Sequence, residues 1–252
     1  MPASPSPATE DPPETCADDP DRAEHLRTQF LRRLAHDIAS PTGVTLTVLD
    51  ELAADAKARP ELMAMARRSL RRLMRLSEHL ALVGELEGGT LQPELASADA
   101  RTLAKQALEE ALAIDGRRDV LAASDIPATP LPIQADPRLL LVAFREVIGN
   151  ALKLASSRIE VSVRKEPGRV VFRVDDDGPG FGEDAARALG RRFVRRSAAR
   201  GLGLSLSIAT EVLHAHGGSL SISQSALPPG RRGSAGAAVV ITLPAGADRA
   251  LR

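Results

Sequence analysis

The chain has 252 residues with 33 basic and 33 acidic side chains, so it has no formal net charge and no nucleic acid or other polyanion is expected as a partner. Five Phe, no Trp and no Tyr leave the core aliphatic and nearly exclude aromatic stacking platforms for single strands. One cysteine, Cys16, excludes an internal disulfide and a cysteine-based metal site.

Residues 1–20 are rich in Pro, Ser, Asp and Glu and read as a disordered tail. The longest apolar run, Leu139 to Phe144, is too short to span a bilayer, and the start has neither a basic stretch nor an apolar core. A cytoplasmic chain with no membrane insertion is expected.

From Asp21 to about Lys57, apolar residues at Leu26, Phe30, Leu34, Ile38, Leu49 and Leu52 predict a helix, with Asp21 as its cap. Pro41 lacks an amide proton, which predicts a kink just after His36 rather than a stop. A second helix runs from Glu61 to about Glu87, with a coiled-coil-like seam at Leu70, Leu73, Leu80 and Val83. One hairpin cannot bury two such stripes, so a homodimer forming a four-helix bundle is predicted. Arg68, Arg71, Arg72 and Arg75 on the second helix suit a solvated face or an acidic partner.

Gly88-Gly89 ends the hairpin, and the pattern turns to mixed α/β. A helix is expected over Ala98–Ala113, a weak strand over Asp119–Ala123 and a Pro-rich connection over 124–134. Asp136-Pro137 then caps and opens a buried helix reaching Leu154. Alternation at Ile159, Val161, Val163 and at Val170, Phe172, Val174, around a turn at 165–168, predicts an antiparallel hairpin. A helix after Gly201-Leu-Gly-Leu204 ends at His216, and strands around 220–223 and 237–243 close the unit. The fold class is α+β: a hairpin unit over 21–89, an α/β sandwich over 97–245 with helices on one face of a mixed sheet, and a tail over 246–252.

His36 is the first candidate for chemistry. On a helix it lies about 200° from Leu34 and Ile38, on a polar stripe beside Asp37, so the imidazole can act as an exposed nucleophile. Three further segments belong together. Asn150 and Lys153 offer a neutral oxygen for a hard cation and a charge for a phosphate from one helix face. Asp176-Asp-Gly178-Pro-Gly180 places a carboxylate at a strand end, followed by glycines that admit a planar ligand. Gly201-Leu-Gly203 precedes a helix whose free N–H groups favour phosphate.

In this order the segments resemble the Bergerat-type ATP-binding domain shared by sensor histidine kinases, gyrase-type ATPases and MutL-like proteins. NALKLAS resembles its asparagine box, DDDGPGF its first glycine box, RRFVR its phenylalanine box and GLGLSLS its second glycine box. FLRRLAHDIASP resembles the phospho-acceptor box of the histidine kinase dimerisation domain.

The resemblance implies a histidine kinase of a two-component system that uses ATP and Mg2+. His36 would accept the γ-phosphoryl group and Asp37 would orient or deprotonate the imidazole. Asn150 would hold Mg2+ and Lys153 would contact phosphates. Asp176 would accept the adenine amino group, with Gly178 and Gly180 lining the base pocket. Arg195, Gly201, Leu202, Gly203 and Leu204 would complete the nucleotide site, and a response regulator receiver domain would take the phosphate. With only a short tail ahead of the hairpin, input is expected from a separate sensory protein, from the tail or from the dimer itself.

The chain departs from the family pattern at several positions. Ala39 stands where a basic residue is usual, and Ser40 where Thr or Asn serves the phosphatase reaction. Glu146 stands where Asn is frequent, which makes it a candidate base or an organiser of the metal shell. Gly190 and Ala199 replace a phenylalanine and a glycine, and 18 residues separate Gly182 from Gly201, a short lid. The alternatives are a non-catalytic dimeric scaffold with a degenerate ATP site and a serine kinase sharing the same ATP fold.

Overall fold

The computed structural model describes residues 20–54, 59–115, 117, 119–181, 205–230, 233 and 235–246. The first helix, α1, spans Pro20–Ala54 and the second, α2, Arg59–Glu87. They pack against each other as a hairpin, with Val48, Ala66 and Ser69 buried between them and their surroundings. Helix α1 begins one residue before the expected cap and continues through Pro41. Beyond the proline, Thr42, Thr45 and Thr47 turn their hydroxyls back onto the carbonyls of Ile38, Pro41 and Gly43 at 2.7, 2.9 and 3.1 Å. The β-branched run thus satisfies its polar atoms inside the helix. No helix among the described residues is long and apolar enough to cross a membrane.

The second part contains strands β1 (Ala96–Asp99), β2 (Leu121–Asp125), β3 (Pro132–Ala135), β4 (Arg158–Glu166), β5 (Arg169–Asp176), β6 (Ser219–Gln224) and β7 (Ala237–Pro244). Its helices are α3 (Ala100–Asp115), α4 (Pro137–Leu154) and α5 (Ser205–Ala215). The main sheet has the order β2-β4-β5-β7-β6, with β2 parallel to β4 and the other neighbours antiparallel.

Alternation in β4 and β5 does what period two requires: Ile159, Val161, Val163, Val170, Phe172 and Val174 are buried against the helices. The register sets Val163 opposite Phe172, and Phe172 opposite Ile241. Phe144 of α4 stacks on Phe172, ring centroids 4.3 Å apart, which fixes α4 over the middle of the sheet. Such a pair adds about 1 kcal/mol beyond its burial.

Two expectations need correction. The strand expected at 119–123 starts at Leu121, and the connection expected over 124–134 ends in β3, which pairs antiparallel with β1 in a separate sheet. Four-residue strands such as Ala-Ser-Ala-Asp are too short to carry a detectable alternation.

Candidate functional site

His36 projects from α1 with its side chain 80% exposed, and its Nδ1 lies 3.2 Å from Asp37 Oδ1. The contact leaves Nε2 as the ring nitrogen not engaged by the neighbouring carboxylate. Ser40, one turn on, is exposed, and Pro41 behind it is buried. Leu34 packs against the core while Ile38 stays 43% exposed, so the apolar stripe of this helix is only partly covered.

Helix α4 is anchored at its start. Asp136 accepts from the amides of Arg138 and Leu139 at 3.0 and 3.2 Å, and Pro137 occupies the first turn where no amide is missed. The Asp136 amide itself donates to Nε2 of buried His216 at 3.0 Å, and His216 Nδ1 lies 2.7 Å from the Val212 carbonyl. One tautomer, protonated on Nδ1, satisfies both contacts and ties the start of α4 to the end of α5. From this helix Asn150 emerges half-buried. Lys153, its side chain 34% exposed, brings Nζ to 3.7 Å from Asp115 Oδ2. Burial, and then the charge of Arg75, lower the Lys153 ammonium from its ordinary value against the pull of Asp115 and Glu146.

Strand β5 ends in the loop that carries Asp176, Gly178 and Gly180. Asp176 is buried, and its Oδ1 accepts the Gly178 amide at 2.8 Å. Asp177 turns the other way and accepts from the amides of Ser156, Ser157 and Arg158 at 2.8, 2.9 and 3.0 Å and from the Ser157 hydroxyl at 2.5 Å. Burial would raise this carboxyl, but the hydrogen bonds to it hold it below the usual carboxylate range. A Cβ at Gly178 would stand 2.4 Å from the Leu154 carbonyl oxygen, and one at Gly236 would stand 2.0 Å from that of Asp176. Main chain therefore lies directly on main chain around Asp176. Gly180 is buried beside the Gly236 carbonyl.

The structure thus brings Asn150 and Lys153 together on α4 and sets Asp176, Gly178 and Gly180 on one loop. Arg195, Gly201, Leu202, Gly203 and Leu204, with the expected lid, lie outside the described residues.

Glu146 lies inside. It is 1% exposed, with Oε1 2.8 Å from His79 Nε2 and 3.6 Å from Arg75 Nε, both on α2. The His79 contact has ion-pair distance without hydrogen-bond alignment. Burial alone would raise the Glu146 carboxyl, but the charges of His79 and Arg75, with help from Lys153, hold it well below the usual range.

Residues 135–247 match the family of histidine kinase-, DNA gyrase B- and HSP90-like ATPases. The chain is 31% identical over 222 residues to the signal transduction histidine-protein kinase AfsQ2 of Streptomyces coelicolor, a match covering 79% of this chain and 39% of that protein. Residues 135–247 belong to that ATPase family, and the chain as a whole is similar to sensor histidine kinases. The sensor-like histidine kinase SenX3 of Mycolicibacterium smegmatis is 25% identical over 80% of this chain and 56% of its own length. The chain therefore spans roughly two fifths to just over half of these curated relatives.

Among solved structures, the mycobacterial sensor histidine kinase MprB matches 60% of the chain with a TM-score of 0.52 and 27% identity, covering 97% of that structure. Full-length ShkA, solved with AMPPNP, shares the fold over 90% of the chain and 47% of its own, with a TM-score of 0.61 and 22% identity. The α/β part of the chain is a Bergerat-type ATPase domain.

Sequence reasoning missed the groups that meet Glu146. Arg75 belonged to an arginine cluster open to two readings. Arg68, Arg71 and Arg72 are exposed, whereas Arg75 hydrogen-bonds buried Asp115 of α3. The acidic partner is within the chain. The spacing of Arg75 and His79, one turn apart on α2, was the available signal.

Replacing Glu146 by Gln should cost about 3 kcal/mol at neutral pH, because buried Arg75 loses one of the two carboxylates that face it. The carboxyl is depressed in the folded state, so its contribution is complete above its unperturbed pKa of 4.5 and is lost as pH falls through the lower folded value. Denaturant titrations at pH 7 and pH 3 should show the gap between wild type and Glu146→Gln closing in acid. A gap of constant size would show that the Glu146 charge does not stabilise the fold.

Proposed function

We propose that the chain is an ATP-dependent protein histidine kinase of a two-component pathway. The carrying observation is one molecule that presents an exposed His36-Asp37 pair on a helical hairpin and an ATPase-family cradle at Asp176–Gly180. The His36 imidazole attacks the γ-phosphorus of ATP; an N–P bond forms, the β,γ-bridging P–O bond breaks, and ADP leaves. Asp37, beside Nδ1, steadies the ring and the positive charge it gains. The phosphoryl group then passes to an aspartate of a response regulator receiver, and both reactions belong to the cytoplasm.

In this reading Asp176 accepts the adenine amino group, and the absent side chains of Gly178 and Gly180 leave room for the base. Asn150 contributes a side-chain oxygen to Mg2+ and Lys153 a cation to the phosphates. No cluster of three metal-ligating side chains occurs among the described residues. A single amide fits a Mg2+ that is held mainly by nucleotide phosphates and water. The metal neutralises phosphate charge when bound.

Residues 21–89 then form the dimerising and phospho-accepting unit, and 97–245 the ATP-binding unit. Leu46, Leu49, Leu70 and Met74 are about half exposed or more on the hairpin, an apolar surface that a second copy would cover as a four-helix bundle. Ser40, exposed one turn from His36, is the hydroxyl placed where a phosphatase residue would stand.

Nucleotide binding tests the reading at its base. With the full chain, Asp176→Asn should weaken Mg2+-AMPPNP binding by at least about tenfold, since the amide replaces an acceptor by a donor facing the adenine amino group. Unchanged circular dichroism would show that the fold survives. Equal affinity of the two proteins would overturn the assignment of Asp176.

A further inference from the structure

The outer face of the main sheet carries a charged pair that the nucleotide reading leaves unused. Val174 of β5 points into the core, which sends its neighbours Arg173 and Asp175 to the opposite face. Asp175 stands in register with Ala238 of β7, and Ala238 with Ser223 of β6. Only a methyl group separates β5 from β6 along this row, so a long side chain on β5 can reach over β7. Arg173 donates through Nε and Nη2 to the two oxygens of Asp175, both at 2.7 Å. Its Nη2 and Nη1 go on to the Gln224 carbonyl at 3.1 Å and the Ser223 hydroxyl at 3.4 Å. Asp175, 6% exposed, also accepts the Ala226 amide at 2.8 Å. A planar guanidinium can grip a carboxylate with two parallel bonds and still offer N–H groups to further acceptors, a geometry that an ammonium does not have.

The segment held in this way is the start of the connection between β6 and β7, and that connection lies directly against the Asp176 loop. A Cβ at Gly230 would stand 2.1 Å from the Asp177 carbonyl oxygen, and one at Gly236 would stand 2.0 Å from that of Asp176. A Cβ at Gly180 would stand 2.9 Å from the Gly236 carbonyl oxygen, which sets the far end of the loop on the same support. The connection therefore meets main chain at Asp176, Asp177 and Gly180. A shift of the support passes straight to the loop, because no side chain lies between them to absorb it.

We propose that Arg173 is a positioning residue for the base pocket: with Asp175 it clamps the β6–β7 connection, and the clamped connection sets where the Asp176 carboxylate meets the purine. This rests on the reading that Asp176 accepts the adenine amino group. Arg173 touches no nucleotide in this scheme, so its effect runs through Asp176. It belongs in the choice of base and not in the hold on the phosphates, since a hydrogen bond weakens steeply once its partners lose alignment.

Binding of Mg2+-AMPPNP and of its inosine counterpart, in which a carbonyl replaces the 6-amino group, tests this on the full chain. Wild type should prefer the adenine analogue by about tenfold or more, since the inosine carbonyl sets acceptor against acceptor at Asp176. Arg173→Met keeps the length of the side chain and removes its donors. It should bind AMPPNP about fivefold more weakly and the inosine analogue as wild type does. In the Asp176→Asn background the same replacement should change neither affinity. An Arg173 that merely supports the fold would lower both affinities together, with or without Asp176. That result, or an unchanged preference in Arg173→Met, overturns the proposal. If Arg173→Met does not fold, hydrogen exchange on wild type decides. At equal saturation AMPPNP should slow exchange of the Ala226 amide more than the inosine analogue does, and equal rates overturn the coupling. Wild type that binds both analogues equally, or neither, overturns the Asp176 reading and the positioning role with it. That failure lies in the wild-type affinities, whereas the others lie in the variants or in the exchange.

Discussion

Replacing His36 by Gln should reduce labelling of the full chain by γ-labelled ATP to background, a loss of about 10³-fold or more. The reason is chemical: Gln has no nucleophilic ring nitrogen. His79 and His216 are buried in ion-pair and hydrogen-bond contacts, whereas the His36 side chain is 80% exposed. The wild-type label should be acid-labile and base-stable, as a phosphoramidate is. Because His36 is on the surface, the substitution should leave thermal stability within about 0.5 kcal/mol of wild type. In the proposed dimer, mixing His36→Gln with Asp176→Asn would give hybrids in which one chain keeps the acceptor and the other the nucleotide site. Label on the Asp176→Asn chain would show transfer across the dimer, and none would place it within one subunit. Undiminished labelling of His36→Gln alone would overturn the assignment.

Replacing Asp177 by Ala should cost about 3 kcal/mol and lower the melting temperature by about 10 °C. This carboxylate accepts from three consecutive amides at the start of β4 and from the Ser157 hydroxyl, and it is 4% exposed. Alanine leaves those donors facing one another without an acceptor. Since the carboxyl is depressed in the folded state, its stabilisation is whole above its unperturbed value of 3.8 and disappears as pH falls through the lower folded value. Thermal melts at neutral pH and near pH 3 should therefore differ for wild type by more than they do for Asp177→Ala. Nucleotide affinity should fall with stability, because Asp177 holds one end of the loop whose other carboxylate is Asp176. A melting temperature within about 2 °C of wild type at neutral pH would show that the loop does not depend on this anchor.

Much of the fold was legible because its signals are local. Asp136-Pro137 announces the start of α4 within two residues, and the alternating valines of β4 and β5 announce both strands and their buried face. The exposure of His36 followed from its angle to Leu34. The short strands β1 and β3 were not legible, since their pairing of Ala96 with Ala135 joins two segments that carry no period of their own. Nor was the burial of Glu146. Its environment comes from Arg75 and His79, about 70 residues earlier, and helical periodicity says nothing about which face of α2 a separate sheet-and-helix layer will cover. Asp177 shows the same limit at short range. Motif spacing singles out Asp176, while its neighbour anchors the loop through the amides of 156–158, around the hairpin between β4 and β5.

The close approach of backbone at Gly178 and Gly236 has a consequence for how the chain can vary. Where two peptide planes meet with no side chain between them, no rotamer can move to absorb an added methyl group. The path of the backbone beside Asp176 is consequently drawn by peptide geometry and changes little when residues around it are exchanged. Tolerance there is all or nothing: the rim can drift freely through many sequences, while each of these two positions admits a single residue type.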